Sequence, residues 1–148
     1  MVFLMEKKDM LAEIKEKTNA VVIKEFSPDG VATIQYNSSG EVKGKYHANH
    51  VETTDVKMKM DGKNEWETRA LEMTKEGDVI MLTGKGTGQQ NNFMGEFTYM
   101  TNSAKLSWLN NTKATVEGTT DMKNNEATIK IYPEKQPEKQ ATFAAPMM

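Results

Sequence analysis

The sequence predicts an all-β protein, a single antiparallel up-and-down β-barrel of about eight strands. Three observations predict this fold. Turn sequences recur at short intervals from residue 20 onward, apolar and polar residues alternate between them, and only 4 of the 148 residues are proline. A chain of 148 residues is also the length of one domain. We therefore predict one barrel domain over residues 1–132 and a flexible tail over 133–148, whose composition cannot fill a core.

The turns and the strands between them follow from residue type. Turn sequences rich in Gly, Asn, Asp and Ser lie at 27–30, 37–40, 61–64, 75–78 and 123–126. Between them, apolar residues at every second position predict which side of each strand faces the interior. The predicted inward sets are Ala32, Ile34 and Tyr36; Val42, Tyr46 and Ala48; Val56, Met58 and Met60; Phe93, Phe97 and Tyr99; Ala114 and Val116; and Ala127, Ile129 and Ile131.

Two segments fit a helix as well as a strand. Residues 4–17 carry scattered apolar residues among Glu and Lys, which indicates a short N-terminal helix as an alternative to a strand. Residues 64–77 begin with a sequence typical of a helix cap and place Trp66, Ala70 and Met73 at helical spacing. The same residues also alternate as a strand does. We predict a strand over this second segment, for a tertiary reason given with the family resemblance below.

The charge balance narrows the classes of partner. The chain has 19 basic and 21 acidic residues, a formal net charge of −2, so we expect no nucleic-acid partner, which would require a basic surface. No run approaches the ~20 apolar residues that span a bilayer, and the apolar run at the start is too short for a signal peptide. We therefore expect no membrane association and a cytoplasmic protein. The absence of cysteine excludes disulfides and thiolate chemistry.

A glycine-rich segment at 84–88, Gly-Lys-Gly-Thr-Gly, superficially matches a phosphate-binding loop. Nucleotide-binding loops lead directly into a helix whose N–H groups hold the phosphates, whereas polar residues and then an aromatic strand follow here. Glycines at every second position instead share one face of a strand, where they let another element approach closely. We predict no bound cofactor.

The two histidines lie close together in the sequence, and Glu52 and Asp55 follow them, which suggests a metal site. In a strand, however, His47 and His50 point to opposite faces, so they cannot chelate one ion together. We therefore predict no metal site. His50 shares its face with Tyr46 and is expected to point inward. No catalytic residue is predicted, because the sequence has no nucleophile motif and no pair of carboxylates marked by apolar neighbours.

Methionine occurs 12 times, and several of these residues lie at positions expected to face the interior. A flexible thioether fills a core or lines an adaptable apolar cavity, and we prefer these interpretations to copper binding by the methionines. Together with inward aromatic residues they predict an internal apolar pocket of about 300 Å³ or more. The predicted ligand-binding residues are Met58, Met60, Phe97, Tyr99, Tyr46 and His50.

One part of the chain resembles a known family. The Gly-x-Gly-x-Gly segment at 84–88, an aromatic strand over 93–101 and the segment 101–111, Thr-Asn-Ser-Ala-Lys-Leu-Ser-Trp-Leu-Asn-Asn, resemble uncharacterised microbial β-barrels of the allene oxide cyclase-like type, whose shape is that of lipocalins. The resemblance extends over about 79–132 and implies that the second ambiguous segment is one arm of a hairpin turning at 75–78. It also implies a short turn in the 101–111 segment that covers one barrel end. It transfers no catalytic residue.

We predict a non-enzymatic barrel that binds a small apolar ligand in its interior. Two alternatives stay open: a cyclase- or isomerase-type enzyme acting on a small hydrophobic substrate, and a solidly packed barrel with a surface interaction role. A buried, unpaired His50 or carboxylate inside the cavity would favour the enzyme. The sequence does not decide the oligomeric state, and a homodimer is one alternative.

Overall fold

The computed structural model of the protein describes residues 9–134, which form a closed antiparallel barrel of eight strands. Each strand pairs with the next along the chain, and the last strand closes the barrel against the first. The strands are β1 (Ala12–Phe26), β2 (Ala32–Gly44), β3 (Ala48–Met58), β4 (Lys63–Met73), β5 (Val79–Gln89), β6 (Asn92–Thr101), β7 (Lys113–Asp121) and β8 (Glu126–Pro133). One turn of 3₁₀ helix, Ser107–Leu109, lies between β6 and β7. The predicted all-β up-and-down barrel is confirmed.

The predicted tail over 133–148 falls almost entirely outside the described residues, which end at residue 134. The division into a domain and a tail at residue 132 therefore stays a prediction. The described residues contain no helical segment with the length and hydropathy of a membrane span.

The alternative of an N-terminal helix over 4–17 is wrong for the residues that the structure describes. β1 begins at Ala12, and Ala12, Ile14 and Glu16 are buried while the residues between them are more exposed. This period of two is that of a strand, and β1 pairs with β2 on one side and β8 on the other. Helix propensity is a weak local preference that such tertiary hydrogen bonding overrides.

The second ambiguous segment, 64–77, forms a strand and a turn, as the family resemblance implied. β4 covers its first ten residues, and a turn through 74–78 leads into β5. Burial alternates along the strand, and its inward residues are Trp66, Thr68, Ala70 and Glu72.

The predicted turn at 37–40 is wrong, because these residues lie inside β2. The connection between β2 and β3 lies instead at 45–47. Gly40 belongs to the strand because β1 passes close beside it: a Cβ on Gly40 would lie 2.6 Å from the Cα of Glu16. The glycine at this position therefore serves close strand packing.

The interior divides into two halves that differ in burial. The closed half lies at the end that carries the 45–47 connection, and the apolar side chains facing inward there are buried in one core. Leu106 and Leu109, at the 3₁₀ helix, belong to this core, and Trp108 contacts Tyr46 edge-on with ring centroids 6.4 Å apart. In the open half, at the other end, the inward-facing residues of β2 and β3 are only half-buried: Tyr36, Thr54, Val56 and Met58.

The glycines of β5 and β6 make room for an aromatic ring. Trp66 pairs with Gly86, which pairs in turn with Gly95, and the indole lies over both glycines. A Cβ on Gly86 would lie 2.6 Å from Trp66 Cζ2. Trp66 also contacts Phe93 and Phe97 edge-on, with centroid distances of 5.8 and 6.4 Å. The close approach that the glycine spacing predicts is present in the structure.

Most methionines within residues 9–134 are exposed, which corrects their assignment to the core or a cavity. Met60 is 88% exposed because it lies in the connection after β3, where the alternation of the strand no longer applies. Met58 faces inward and is half-buried. Five further methionines outside the closed core are 48–67% exposed: Met73, Met81, Met94, Met100 and Met122. Beside Met81 and Met100 on their strands, Leu82 and Tyr99 fill the core instead.

β1 and β2 extend beyond the strand that closes the barrel. β8 pairs with β1 only over 12–17, whereas β1 continues to Phe26 against β2 alone. The β1–β2 register is interrupted twice in this extension, within 18–20 and within 23–25. Several large apolar side chains of the extension are 44–73% exposed: Val21, Val22, Ile23 and Phe26.

Candidate functional site

Four ionisable side chains meet inside the barrel: Glu16 from β1, His50 and Glu52 from β3, and Glu72 from β4. We call these four residues the His–Glu cluster. Strand alternation puts His50 and Glu52 on the same inward face, and the β3–β4 register pairs His50 with Glu72. On the other side, His50 pairs with Gly40, which pairs with Glu16. Because Gly40 has no side chain, the carboxyl group of Glu16 reaches the imidazole across β2.

Each ring nitrogen of His50 faces a carboxylate. His50 Nδ1 lies 2.6 Å from Glu72 Oε2, and His50 Nε2 lies 2.8 Å from Glu52 Oε1. Glu16 Oε1 lies 3.6 Å from the same Nε2. His50 and Glu72 are each only 1% exposed. These contacts fix the orientation of the imidazole ring.

Hydroxyl groups hold the carboxylates from their other side. The Tyr46 hydroxyl donates a hydrogen bond to Glu72 Oε1. The Thr54 hydroxyl donates to Glu52 Oε2 at 2.8 Å and lies 2.7 Å from the Thr68 hydroxyl. Glu52 and Glu72 therefore each have one oxygen bound to a hydroxyl and the other directed at His50.

The environment shifts the ionisation of the cluster. Burial lowers the pKa of His50, but hydrogen bonds to Glu52 and Glu72 and their charges outweigh it and raise this pKa to about 10. Burial and the neighbouring Glu52 raise the pKa of Glu16 well above its ordinary value. Burial also acts to raise the pKa of Glu52, but the hydrogen bond and charge of His50 prevail and lower it. Burial and the neighbouring Tyr99 and Glu72 raise the pKa of Tyr46. Burial and the charge of Glu72 raise the pKa of Tyr99.

Two buried oxygen atoms near the cluster, Glu16 Oε1 and the Tyr99 hydroxyl oxygen, have no fixed hydrogen-bond donor among the described residues. The Glu16 carboxyl group interacts with that of Glu52, and the Tyr99 hydroxyl with that of Tyr46. The Glu16 side chain is only 7% exposed, and Tyr99 is 2% exposed. Leaving such an atom buried without a partner costs about 1–3 kcal/mol. Unpaired buried atoms of this kind indicate a place where a ligand, an ion or a water molecule completes the site.

The structure brings three of the predicted ligand-binding residues together. His50 is a member of the cluster, Tyr46 donates to it, and Tyr99 lies close enough to raise the pKa of Tyr46. The face assignment of the histidines is confirmed, since His50 is buried and His47 is exposed. Whether any of them contacts a ligand stays a prediction.

The other three predicted ligand-binding residues lie apart from the cluster. Phe97 packs edge-on between Trp66 and Tyr99, with centroid distances of 6.4 and 6.5 Å, and belongs to the closed core. Met58 lies on the inward face of the open half. The exposure of Met60 excludes it from the interior.

Sequence reasoning missed Glu16 and Glu72 and treated Glu52 only as a neighbour of the histidines. Glu16 was missed because its segment was interpreted as a possible helix. Glu72 was missed because residues 64–77 fitted a helix as well as a strand. A signal for Glu72 was present, because in a strand it shares the face of Trp66 and Ala70. Nothing local in the sequence indicates that Glu16 meets His50.

Two cavities open at the surface of the described part of the chain. One, of about 390 Å³, lies at the mouth of the open half and includes Asn64, Gly88 and Phe93 in its lining. The other, of about 520 Å³, crosses β1 between charged side chains of β2 and β8, and Glu16 borders it. None of the six predicted ligand-binding residues lines either cavity.

Comparison with known proteins finds similar folds among solved structures but no matching family. No protein-family model matches the sequence, and no curated protein matches it significantly. Among solved structures, a protein with unknown function from Clostridium acetobutylicum ATCC 824 is similar, with a TM-score of 0.74 and 16% identity over 86% of this chain and 98% of its own. A β-barrel-like protein from Acinetobacter baumannii AYE has a TM-score of 0.69 and 20% identity, covering 84% and 93%. An enzyme from Penicillium herquei has a TM-score of 0.67 and 19% identity, covering 84% and 92%.

These neighbours support the barrel, and at such identities they show nothing finer than the fold. The allene oxide cyclase-like family that the sequence resembles is not confirmed by them.

Proposed function

We propose that the protein binds a small molecule inside the barrel, with the polar group of the ligand at the His–Glu cluster. The observation that carries this proposal is the buried carboxyl group of Glu16, whose Oε1 lies 3.6 Å from His50 Nε2 with no hydrogen bond between them. A packed structural core has no need of four ionisable groups, because apolar residues of similar volume stabilise it equally well or better.

We place the rest of the ligand in the open half of the barrel. From His50 along β3, the inward face changes from fully buried to half-buried, through Thr54, Val56 and Met58. A ligand that extends from the cluster along this face meets hydroxyl groups first and apolar side chains after them. With this placement, His50 and Met58 remain predicted ligand contacts. Val56 takes the place of Met60 and Phe97 as a predicted apolar contact.

The charges favour a neutral ligand with a hydroxyl or carbonyl group on an apolar frame. Three carboxyl groups surround one imidazole, so an anionic ligand would add repulsion in a buried place. A ligand hydroxyl can donate to Glu16 Oε1, and Tyr99 offers a donor to a carbonyl oxygen.

Catalysis on such a ligand is a second candidate, of the cyclase or isomerase type. It is favoured by Glu16 Oε1, which lies 3.6 Å from His50 Nε2 and is not hydrogen-bonded to it, because general acid–base catalysis needs a proton-exchanging group that is not already fully hydrogen-bonded. The similar barrel from Penicillium herquei is described as an enzyme.

Binding is tested with the neutral hydrophobic dye Nile red and with a set of small cyclic alcohols and ketones. We expect saturable dye fluorescence and an increase in melting temperature with the best compounds. Val56→Trp fills the open half and should weaken dye binding at least about tenfold, whereas Lys57→Trp, on the exposed face of the same strand, should leave it unchanged. Equal binding by both variants, or no saturable binding by the wild type, would contradict the proposal.

A further inference from the structure

Three donor atoms of the cluster converge on one point. One carboxylate oxygen of Glu16, one ring nitrogen of His50 and one carboxylate oxygen of Glu52 lie within 4.8 Å of one another, the one such group of three His or acidic residues among residues 9–134. From these atoms we propose that the protein binds one divalent transition-metal ion, with Zn²⁺ as its best match, between Glu16, His50 and Glu52. This proposal replaces the sequence-based prediction of no metal site, which considered His47 together with His50 and did not include Glu16.

The distances fit an ion of this size. Zn²⁺ lies about 2.0–2.2 Å from nitrogen and carboxylate oxygen ligands, so two of its ligands are about 3.0 Å apart at a right angle and about 3.4 Å apart at the tetrahedral angle. The observed separations from His50 Nε2 are 2.8 Å to Glu52 Oε1 and 3.6 Å to Glu16 Oε1. These values lie on either side of that range, and small side-chain rotations suffice to reach it.

An independent observation points to a missing ligand partner at the same place. Glu16 Oε1 lies 3.6 Å from His50 Nε2, too far for a hydrogen bond with it, although the Glu16 side chain is only 7% exposed. A metal ion between the two atoms supplies the partner that the carboxylate lacks.

The side chains that hydrogen-bond to the donor residues are arranged as they are around metal sites. Metal-binding histidines usually give their other N–H to a carboxylate or a carbonyl oxygen, which fixes the ring, and the ion takes the second nitrogen by displacing its proton to solvent. Here His50 Nδ1 faces Glu72 Oε2 at 2.6 Å, and Tyr46 holds the second oxygen of Glu72. Thr54 binds Glu52 Oε2, so that Oε1 is the oxygen available to the ion.

The donor set selects the class of ion. One imidazole and two carboxylates suit Zn²⁺ and its transition-metal neighbours, whereas Ca²⁺ and Mg²⁺ prefer sites made of oxygen only. A charge of +2 also offsets the excess of carboxylates. Three protein ligands leave one position of a tetrahedral ion free, as in catalytic zinc sites. This inference goes beyond the proposed function, since an ion can bind without any organic ligand.

The test is titration of the full chain, freed of metal with a chelator, with ZnCl₂ by calorimetry and by equilibrium dialysis. We expect one Zn²⁺ per chain and an increase in melting temperature on saturation. The chain has only two histidines, which gives a matched pair of variants. His50→Gln should lose the site, and His47→Gln, whose side chain is exposed, should keep it.

Variants of the carboxylates make the test independent of the folding of His50→Gln. Glu16→Gln keeps the shape of the side chain and should weaken Zn²⁺ binding at least about tenfold, and Glu72→Gln, which acts through the imidazole, should weaken it by about 10- to 100-fold. Glu96→Gln, exposed on β6, should leave it unchanged. Zn²⁺ binding that survives Glu16→Gln, or that His47→Gln abolishes, would overturn the proposal, as would no saturable binding at all. Dye binding in the same samples is a separate readout, so failure of the metal site does not imply failure of the ligand site.

Discussion

Replacing Gly95 with alanine tests how closely β5, β6 and the indole of Trp66 pack. A Cβ on Gly95 would lie 2.7 Å from Trp66 Cζ2 and 2.8 Å from Gly86 Cα, and closer still to the carbonyl oxygen of Lys85. Ordinary contacts between carbon atoms are about 3.5–4.0 Å long. The added methyl group therefore has to displace both the ring and the neighbouring backbone by about 1 Å.

The magnitude follows from these contacts. Overpacking a well-packed interior costs about 1–3 kcal/mol, and the upper part of that range applies because the blocking atoms include backbone. Alanine offsets about 0.5–1 kcal/mol of this cost, since glycine loses more conformational freedom on folding. We expect Gly95→Ala to lower the free energy of unfolding by about 2 kcal/mol, which for a domain of this size lowers the melting temperature by about 4–8 °C.

Urea unfolding followed by tryptophan fluorescence measures the free energy, and circular dichroism measures the melting temperature. Met94→Thr is the control, because Met94 precedes Gly95 but is 61% exposed, and its replacement should change the free energy by no more than about 0.5 kcal/mol. A Gly95→Ala protein as stable as the wild type would refute the reasoning, because it would show that the glycine pair is not covered by the indole.

Three further changes test other parts of the structure. Leu109→Ala should cost about 3 kcal/mol in urea unfolding because Leu109 is 0% exposed, and Trp108→Ala, 45% exposed, should cost less than about 1 kcal/mol; equal losses would contradict the packing of the 3₁₀ helix. Mild peroxide should oxidise Met60 and Met100, 88% and 64% exposed, in the folded protein, and peptide mass spectrometry that finds them protected would place them elsewhere. Gly40→Ala should destabilise the protein by about 2 kcal/mol because β1 occupies the space of the new Cβ, and a thermal melt unchanged from wild type would disprove this contact.

Strand alternation and the turn sequences predicted the all-β class and the inward face of His50, because a period of two can be read from consecutive residues, whereas the strand at 64–77 was predicted from the family resemblance. The sequence did not predict the partners of His50. Glu16 reaches the imidazole only because β1 and β3 lie on either side of Gly40, and that neighbourhood exists only after the barrel closes. The side chains that share one face of a strand follow from the local sequence. The strands that lie side by side are determined only by the tertiary structure.

The methionines show a different limit. Composition suggested an apolar lining, but Met81 alternates with Leu82, and only one of two consecutive strand residues can face inward. Leucine is there buried and methionine exposed. Residue type alone therefore assigned the wrong face where the register of the strand assigned the right one.

The part of β1 beyond the reach of β8 is the barrel's exposed edge. The Thr18 N–H still binds Asn125 O, and beyond it no strand of the described residues pairs with this outer side of β1, so the backbone there has the character of a sheet edge. The neighbouring side chains are apolar and exposed, a combination that favours intermolecular sheet formation during folding or at high concentration. The two interruptions of its register, together with Lys24 and Glu25 between Ile23 and Phe26, break the regular edge that an incoming strand would need. The irregular backbone of this hairpin is therefore a poorer template for an incoming strand than a regular edge of the same length would be.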